Sequence, residues 1–398
     1  MIDFSLDPEL VALRDRVRMF IREVVMPAEQ RDTGTHGTDD DLRRELQQQA
    51  KQAQLFAPHV SQELGGLGLD VRSMAVVFEE AGYSLLGPQA LNCAAPDEGN
   101  MHLLAHVATD EQREQYLLPL AAGDVRSCFS MTEPAPGAGS DPSMLLTRAE
   151  RIDGGWSITG RKHFITGAEG AAFTICMALA PEGATMFLVD ADNPGWHITR
   201  VMDVIDRSFP GGHAEVVFED CRVDDASVLG AVGEGFRNAQ VRLASGRLTH
   251  CMRWLGVARR AHDIAVDYVS QREAFGQQLA QLGMMQERIA LSEIEIETSR
   301  LLIWKCAWAL DQGQRAGRES SIAKAYVAEA VCRVLDRSMQ MCGGLGVSGD
   351  LHIARLAAEV RPFRIYDGPT ETHLWSIARR AVRDRQSQLT ATERTTVA

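Results

Sequence analysis

CFSMT (128–132), GWSITG (155–160), FTICMAL (173–179), TMFLVD (185–190) and AEVVFED (214–220) are short runs rich in β-branched and aromatic side chains. Turn residues separate them: Asp153-Gly154-Gly155, Pro181-Glu182-Gly183, Asn193-Pro194-Gly195 and Pro210-Gly211-Gly212. Strands at this spacing with no helical period between them predict an antiparallel sandwich or barrel over residues 123 to about 230. On either side the period changes. Residues 1–122 read as helical: Asp7-Pro8 offers an N-cap with proline at the first helical position. Leu6, Leu10, Leu13, Val17, Phe20 and Val24 then recur at helical spacing. Thr109-Asp110-Glu111-Gln112 is a capping box, and the glycines of Ser61–Gly68 demand a loop. From 231 to 398 four long amphipathic segments, roughly 234–270, 282–312, 319–342 and 351–382, predict a helical bundle with a polar, frayed tail after about 385. The fold class is therefore α+β and multi-domain, with an N-terminal α-helical domain (1–122), a middle antiparallel β domain (123–230) and a C-terminal four-helix bundle (231–398).

Composition sets limits on function. A chain of 398 residues with 45% apolar side chains can bury more than one core, and its formal charge of −13 disfavours nucleic acid or an anionic membrane as partner. The opening MIDFSLDPEL has no basic segment followed by an apolar run, and no stretch is long and apolar enough to span a bilayer. The eight cysteines form no CxxC pair, which reads as reduced thiols in a cytoplasmic protein without a zinc site. Only Lys51, Lys162, Lys305 and Lys324 are lysines.

Two patterns imitate chemistry. Gly344-Leu345-Gly346-Val347-Ser348-Gly349 fits GxGxxG, but a helical run precedes it where a dinucleotide fold needs a strand, so it reads as a helix-ending loop. His102 and His106 have a zinc-protease spacing without the intervening glutamate, and no metal is expected there.

Thr132-Glu133-Pro134-Ala135-Pro136-Gly137-Ala138-Gly139-Ser140-Asp141 follows the first strand directly. Small residues let the backbone approach a flat ligand, and Thr132 and Ser140 add hydroxyls. Phe164-Ile165-Thr166 offers an aromatic face and another hydroxyl at a second strand end. These two stretches, with Arg272-Glu273-Ala274-Phe275-Gly276, Gln340-Met341-Cys342-Gly343-Gly344 and Tyr366-Asp367-Gly368-Pro369-Thr370-Glu371, resemble in order the motifs of the acyl-CoA dehydrogenase family. The departures resemble the branch of family members ten and eleven, dehydrogenase domain only: Asp-Gly-Pro for Glu-Gly-Thr, Gly246–Arg253, Pro210–His213 and Asn92–Met101.

The resemblance implies FAD as cofactor and acyl-CoA as substrate. It implies a cofactor site of Phe129, Met131, Thr132, Gly139, Ser140, Phe164, Thr166, Pro369 and Glu371. Arg272, Phe275, Gln340, Gly343 and Gly344 would reach the FAD of a second subunit in a homodimer or homotetramer. Asp367 takes the place of the family's base, while the alternative base position on the first bundle helix holds Gly246. Ser140, Arg247, His250 and Gly368 are the implied substrate contacts. Arg253 and His213 join Arg247 and His250 as candidates for a polar group on the acyl chain, which the branch's hydroxylated or phosphorylated acyl substrates would need; helix salt bridges and loop capping are the equal alternative for Arg253 and His213. Electron-transfer flavoprotein is the implied acceptor. A nitroalkane oxidase with the same aspartate base, and a flavin-free relative, are the rival readings.

Overall fold

The computed structural model describes residues 4–32 and 37–396. Residues 1–3, at the head of the segment weighed for a leader, lie outside them, as do the last two of the tail.

The N-terminal part is built from helices. The longer ones are α1 (Pro8–Phe20), α2 (Asp40–Gln52), α3 (Val71–Ala81) and α4 (Asp97–Val107). Pro8 starts α1 as expected, although Asp7 caps it by position only, without a side-chain hydrogen bond. The capping box at Thr109 forms, with the Thr109 hydroxyl and the Gln112 amide each meeting the other's backbone N–H.

The middle part is one seven-stranded sheet. Its strands are β1 (Ser127–Ser130), β2 (Arg148–Ile152), β3 (Gly155–Thr166), β4 (Phe173–Ala180), β5 (Gly183–Asp190), β6 (Trp196–Val201) and β7 (His213–Asp224). The pairs β2–β3, β3–β7, β4–β5 and β6–β7 are antiparallel. In contrast β1 and β4 run parallel, which the purely antiparallel expectation missed. The chain leaves β1 through the 132–141 loop and makes the β2–β3 hairpin before returning, and a parallel pair requires such a long crossover. Trp156, Phe187 and Phe218 fill a separate core beneath this sheet.

The C-terminal part contains α5 (Gly235–Gln271), the small hairpin β8–β9 (Glu273–Ala274, Gln277–Gln278), α6 (Gly283–Asp311) and α7 (Gly317–Met341). The fourth expected helix is broken. In its place stand α8 (Ile353–Val360), a 3-10 turn at Arg361–Arg364 and α9 (Thr370–Thr396). Pro362 and Pro369 each remove a backbone donor, and Asp367 and Gly368 both take positive φ, +55° and +94°. The break therefore puts Asp367 on a loop aimed at α5 rather than on a helix face. Helical backbone continues to Thr396, beyond the point near 385 where polar composition suggested fraying.

Helix α5 lies close against α3 because two glycines meet there. A Cβ on Gly82 would fall 2.0 Å from the Arg253 carbonyl oxygen, and one on Gly256 would fall 2.1 Å from that of Glu79. This close approach fixes the part of α5 that carries His250 and Arg253. No described helix is long and apolar enough to cross a membrane.

Candidate active site

The first group of site residues gathers at the ends of β1 and β3. Phe129, Met131, Thr132 and Thr166 are half-buried, Gly139 and Ser140 are exposed, and Phe164 is 50% exposed at a φ of +53°. A buried ion pair beneath them locks the loop. Lys162 Nζ donates to Glu133 Oε1 at 2.9 Å and to the Met131 carbonyl at 3.1 Å. The Glu133 carboxylate also accepts from the backbone of Ala138, Leu146 and Thr147. Burial alone would raise the Glu133 carboxyl, but the Lys162 ammonium and the Thr147 bonds hold it down at about 2. His163 N–H donates to the Thr132 carbonyl, joining the loop to β3.

The second group surrounds Asp367. Its Oδ2 lies 3.5 Å from His250 Nε2 and would lie 3.7 Å from a Cβ at Gly246. Its carbonyl accepts from Arg247 Nε at 3.0 Å and from His373 Nε2 at 3.2 Å. Lys324, fully buried on α7, donates to the carbonyls of Phe363 (2.6 Å) and Gly368 (2.9 Å), on either side of the aspartate. Burial lowers the Lys324 ammonium to about 8. Burial, followed by the Arg253, Arg242 and Lys324 cations, drives His250 well below its ordinary value, so its ring is neutral at physiological pH.

Beyond His250 a small pocket lies between α5, the segment that follows α3 and the loop before β7, lined by Gln89, Ser208, Phe209, His250, Arg253 and Trp254 among others. Three buried polar atoms of this lining have no hydrogen-bond partner: Gln89 Oε1, His250 Nδ1 and Arg253 Nη2. Arg253 uses its other terminal nitrogen on the Cys93 carbonyl and on Glu98.

The third group sits on the outside of the bundle. Arg272, Gln340, Gly343, Gly344 and Glu371 are exposed, Pro369 and Gly368 are half-buried, and Phe275 is 91% exposed at a φ of +54°. The GxGxxG look-alike is the 3-10 turn Gly343–Val347 that ends α7. The His106 ring bonds the His102 carbonyl, and among the described residues no cluster of three or more His, Cys, Asp or Glu side chains forms a metal site.

Three family models match consecutive parts of the chain: the acyl-CoA dehydrogenase N-terminal domain over residues 7–124, the middle domain over 128–221 and the C-terminal domain over 233–382. The chain belongs to the acyl-CoA dehydrogenase family. It is 39% identical to FadE2 of Mycobacterium tuberculosis, over 98% of this chain and 99% of that one. It is 35% identical to acyl-CoA dehydrogenase family member 11 of Gallus gallus over 94% of its own length, and spans about half of that longer relative (51%). A solved structure from Mycobacterium abscessus, described as an acyl-CoA dehydrogenase, superimposes with a TM-score of 0.89 at 34% identity, covering 96% of this chain and all of the other.

Sequence reasoning overlooked Lys162, Glu133 and Lys324 as holders of the site in this acyl-CoA dehydrogenase. A partial signal was available for Lys324, which stands among Ile322, Ala323, Ala325, Tyr326 and Val327, since a buried ammonium needs a partner; Lys162, between Arg161 and His163, gave none. His213 was weighed as an acyl contact. In the structure it bonds Thr166 and Asp206 instead.

Proposed function

We propose that this chain is an FAD-dependent dehydrogenase that oxidises an acyl-CoA thioester to the trans-2-enoyl-CoA, with Asp367 removing the α-proton. One observation carries the reading. The two positions at which the resemblance places a base, 367 and 246, converge to within van der Waals distance, and the missing Cβ of Gly246 leaves the Asp367 carboxylate as the group facing that point. Arg247 and His373 fix its backbone, and Lys324 fixes the loop on both sides, so the carboxylate is preorganised for proton transfer. A neutral His250 adds no positive charge to those of Arg242, Arg247 and Lys324, which already act on the aspartate.

The strand-end group fits a flavin. Half-buried apolar side chains and the Thr132 and Thr166 hydroxyls match a flat ring with polar edges, and nothing lies within 4 Å of where a Cβ on Gly139 would stand. Phe129, Met131, Thr132, Gly139, Ser140, Phe164 and Thr166 would hold FAD there, with Pro369 and Glu371 from the Asp367 loop. Bound FAD would accept the hydride. Arg272, Phe275, Gln340, Gly343 and Gly344 would serve the FAD of a second copy, a role that suits an arginine fork and a phenyl ring held out into solvent. The assembly is then a homodimer or a dimer of dimers, and electron-transfer flavoprotein is the assigned acceptor. Eight free cysteines suit a reducing compartment, and we assign the cytoplasm on that ground.

The base can be relocated to test this. Asp367→Ala should abolish flavin bleaching by acyl-CoA, and adding Gly246→Glu should restore part of it from the opposite side of the same point. A double variant as inert as the single one, while still binding FAD, would count against the convergence.

The unpartnered Gln89, His250 and Arg253 atoms favour an acyl group that carries hydrogen-bonding oxygen, because a plain alkyl chain would leave all three unpaired. A hydroxyacyl-CoA should therefore bleach the flavin at least about tenfold more efficiently than its alkyl counterpart, since leaving one buried polar group unpaired costs about 1–3 kcal/mol. Arg253→Met should erase most of that preference; equal rates for the two substrates in the wild type would contradict it.

A further inference from the structure

Strands β3 and β7 place Thr166 directly opposite His213 in their register. A bulge between Lys162 and Ile165, with Phe164 at positive φ, turns the end of β3 so that these two side chains meet. Thr166 Oγ1 lies 2.9 Å from His213 Nδ1, and His213 Nε2 lies 3.0 Å from Asp206 Oδ2. The chain of contacts is sheltered: Asp206 is 5% exposed and His213 is 9% exposed. The loop that carries Asp206 is itself pinned, because the buried Glu359 carboxylate accepts from the backbone N–H groups of Arg207 and Ser208. Arg126 clamps the far end by donating to the carbonyls of Gly167 and Pro210.

With a neutral His213 ring, these contacts set the direction of each hydrogen bond. A carboxylate only accepts, so the imidazole proton sits on Nε2 and points at Asp206. Nδ1 is then a bare acceptor and must take the hydroxyl proton of Thr166. The Thr166 oxygen is left with lone pairs alone to offer whatever lies at the end of β3.

We propose that His213, oriented by Asp206, is a positioning residue that makes Thr166 an obligate hydrogen-bond acceptor toward the flavin and so biases the bound cofactor toward its reduced form. The inference rests on the reading that Thr166 meets the flavin ring. A flavin ring nitrogen that carries no hydrogen when oxidised gains an N–H on reduction. A hydroxyl free to rotate would serve both forms. An acceptor-only oxygen favours the N–H form, which raises the midpoint potential and makes the flavin a better acceptor for the substrate's electrons.

The test uses the FAD-loaded protein and reads the midpoint potential by dye equilibration, without substrate turnover. His213→Phe should lower the potential by about 30 mV, the equivalent of tenfold in a two-electron equilibrium. Thr166→Val should lower it as well. In the Thr166→Val background, His213→Phe should add nothing, because His213 acts through the hydroxyl. Since His213→Phe strands the buried Asp206 carboxylate, Asp206→Asn/His213→Phe is the second variant and should show the same fall. An unchanged or raised potential in both His213 variants overturns the inference, as does an equal further fall in the Thr166→Val background. Those results leave the flavoprotein reading intact. A wild-type protein that purifies without FAD and takes none up overturns both.

Discussion

Asp367→Asn should keep its FAD and bleach with acyl-CoA about a thousandfold more slowly than the wild type, within the range a general base contributes. The amide matches the carboxylate in shape, so the contacts of the Asp367 carbonyl with Arg247 and His373 and the Lys324 clamp on the loop should survive. What disappears is the basic oxygen that faces Gly246. Stopped-flow bleaching and FAD absorbance on the same sample separate the two effects. A variant that loses FAD or thermal stability would show a structural role for Asp367, and one that bleaches at the wild-type rate would remove it as the base.

The largest effect on stability should come from Lys162→Met. The substitution retains the apolar stem but leaves the Glu133 carboxylate, 2% exposed, facing a thioether. Breaking a buried pair by removing one partner costs about 3–5 kcal/mol. Because Lys162 also holds the Met131 carbonyl, FAD retention should fall with stability. The pair has a pH signature. Glu133 is held at about 2 in the folded protein, below the ordinary carboxyl value, so the unfolded chain binds the extra proton as pH falls. Its contribution is complete above the unfolded carboxyl pKa of about 4.3 and drains away as pH falls toward 2. Urea melts between pH 7 and 3.5 should show the wild type losing stability at the acid end. Lys162→Met should start lower and lose less. Equal midpoints for the two proteins at pH 7 would contradict the assignment.

Much of the architecture was legible because periodicity reports burial. The switch from helical spacing around Val17 and Phe20 to the short, near-continuous apolar runs of 173–190 and back again marks where cores of different geometry begin. The parallel pairing of β1 and β4 was not legible, since strand direction depends on the path between strands, and both senses give the same run of apolar residues. The break at 361–369 was written in Pro362, Gly368 and Pro369, yet the apolar period continues through it and hid it. Within the site, motif order carried Thr132, Thr166 and Asp367. What it could not carry were contacts between distant segments: Lys162 with Glu133, Lys324 with Gly368, and Asp206 with His213 and Thr166. Each of these side chains is ordinary in its own neighbourhood of sequence and acquires a role only from a partner across the fold.

Anaerobic mixing of the FAD-loaded protein with a panel of acyl-CoA thioesters, and separately with nitroalkanes, distinguishes the dehydrogenase from an oxidase with the same base. Acyl-CoA should remove the oxidised flavin band and yield the trans-2-enoyl-CoA, and the reduced flavin should reoxidise slowly in air. Bleaching by nitroalkanes alone, with rapid peroxide formation on admitting oxygen, would contradict the dehydrogenase reading.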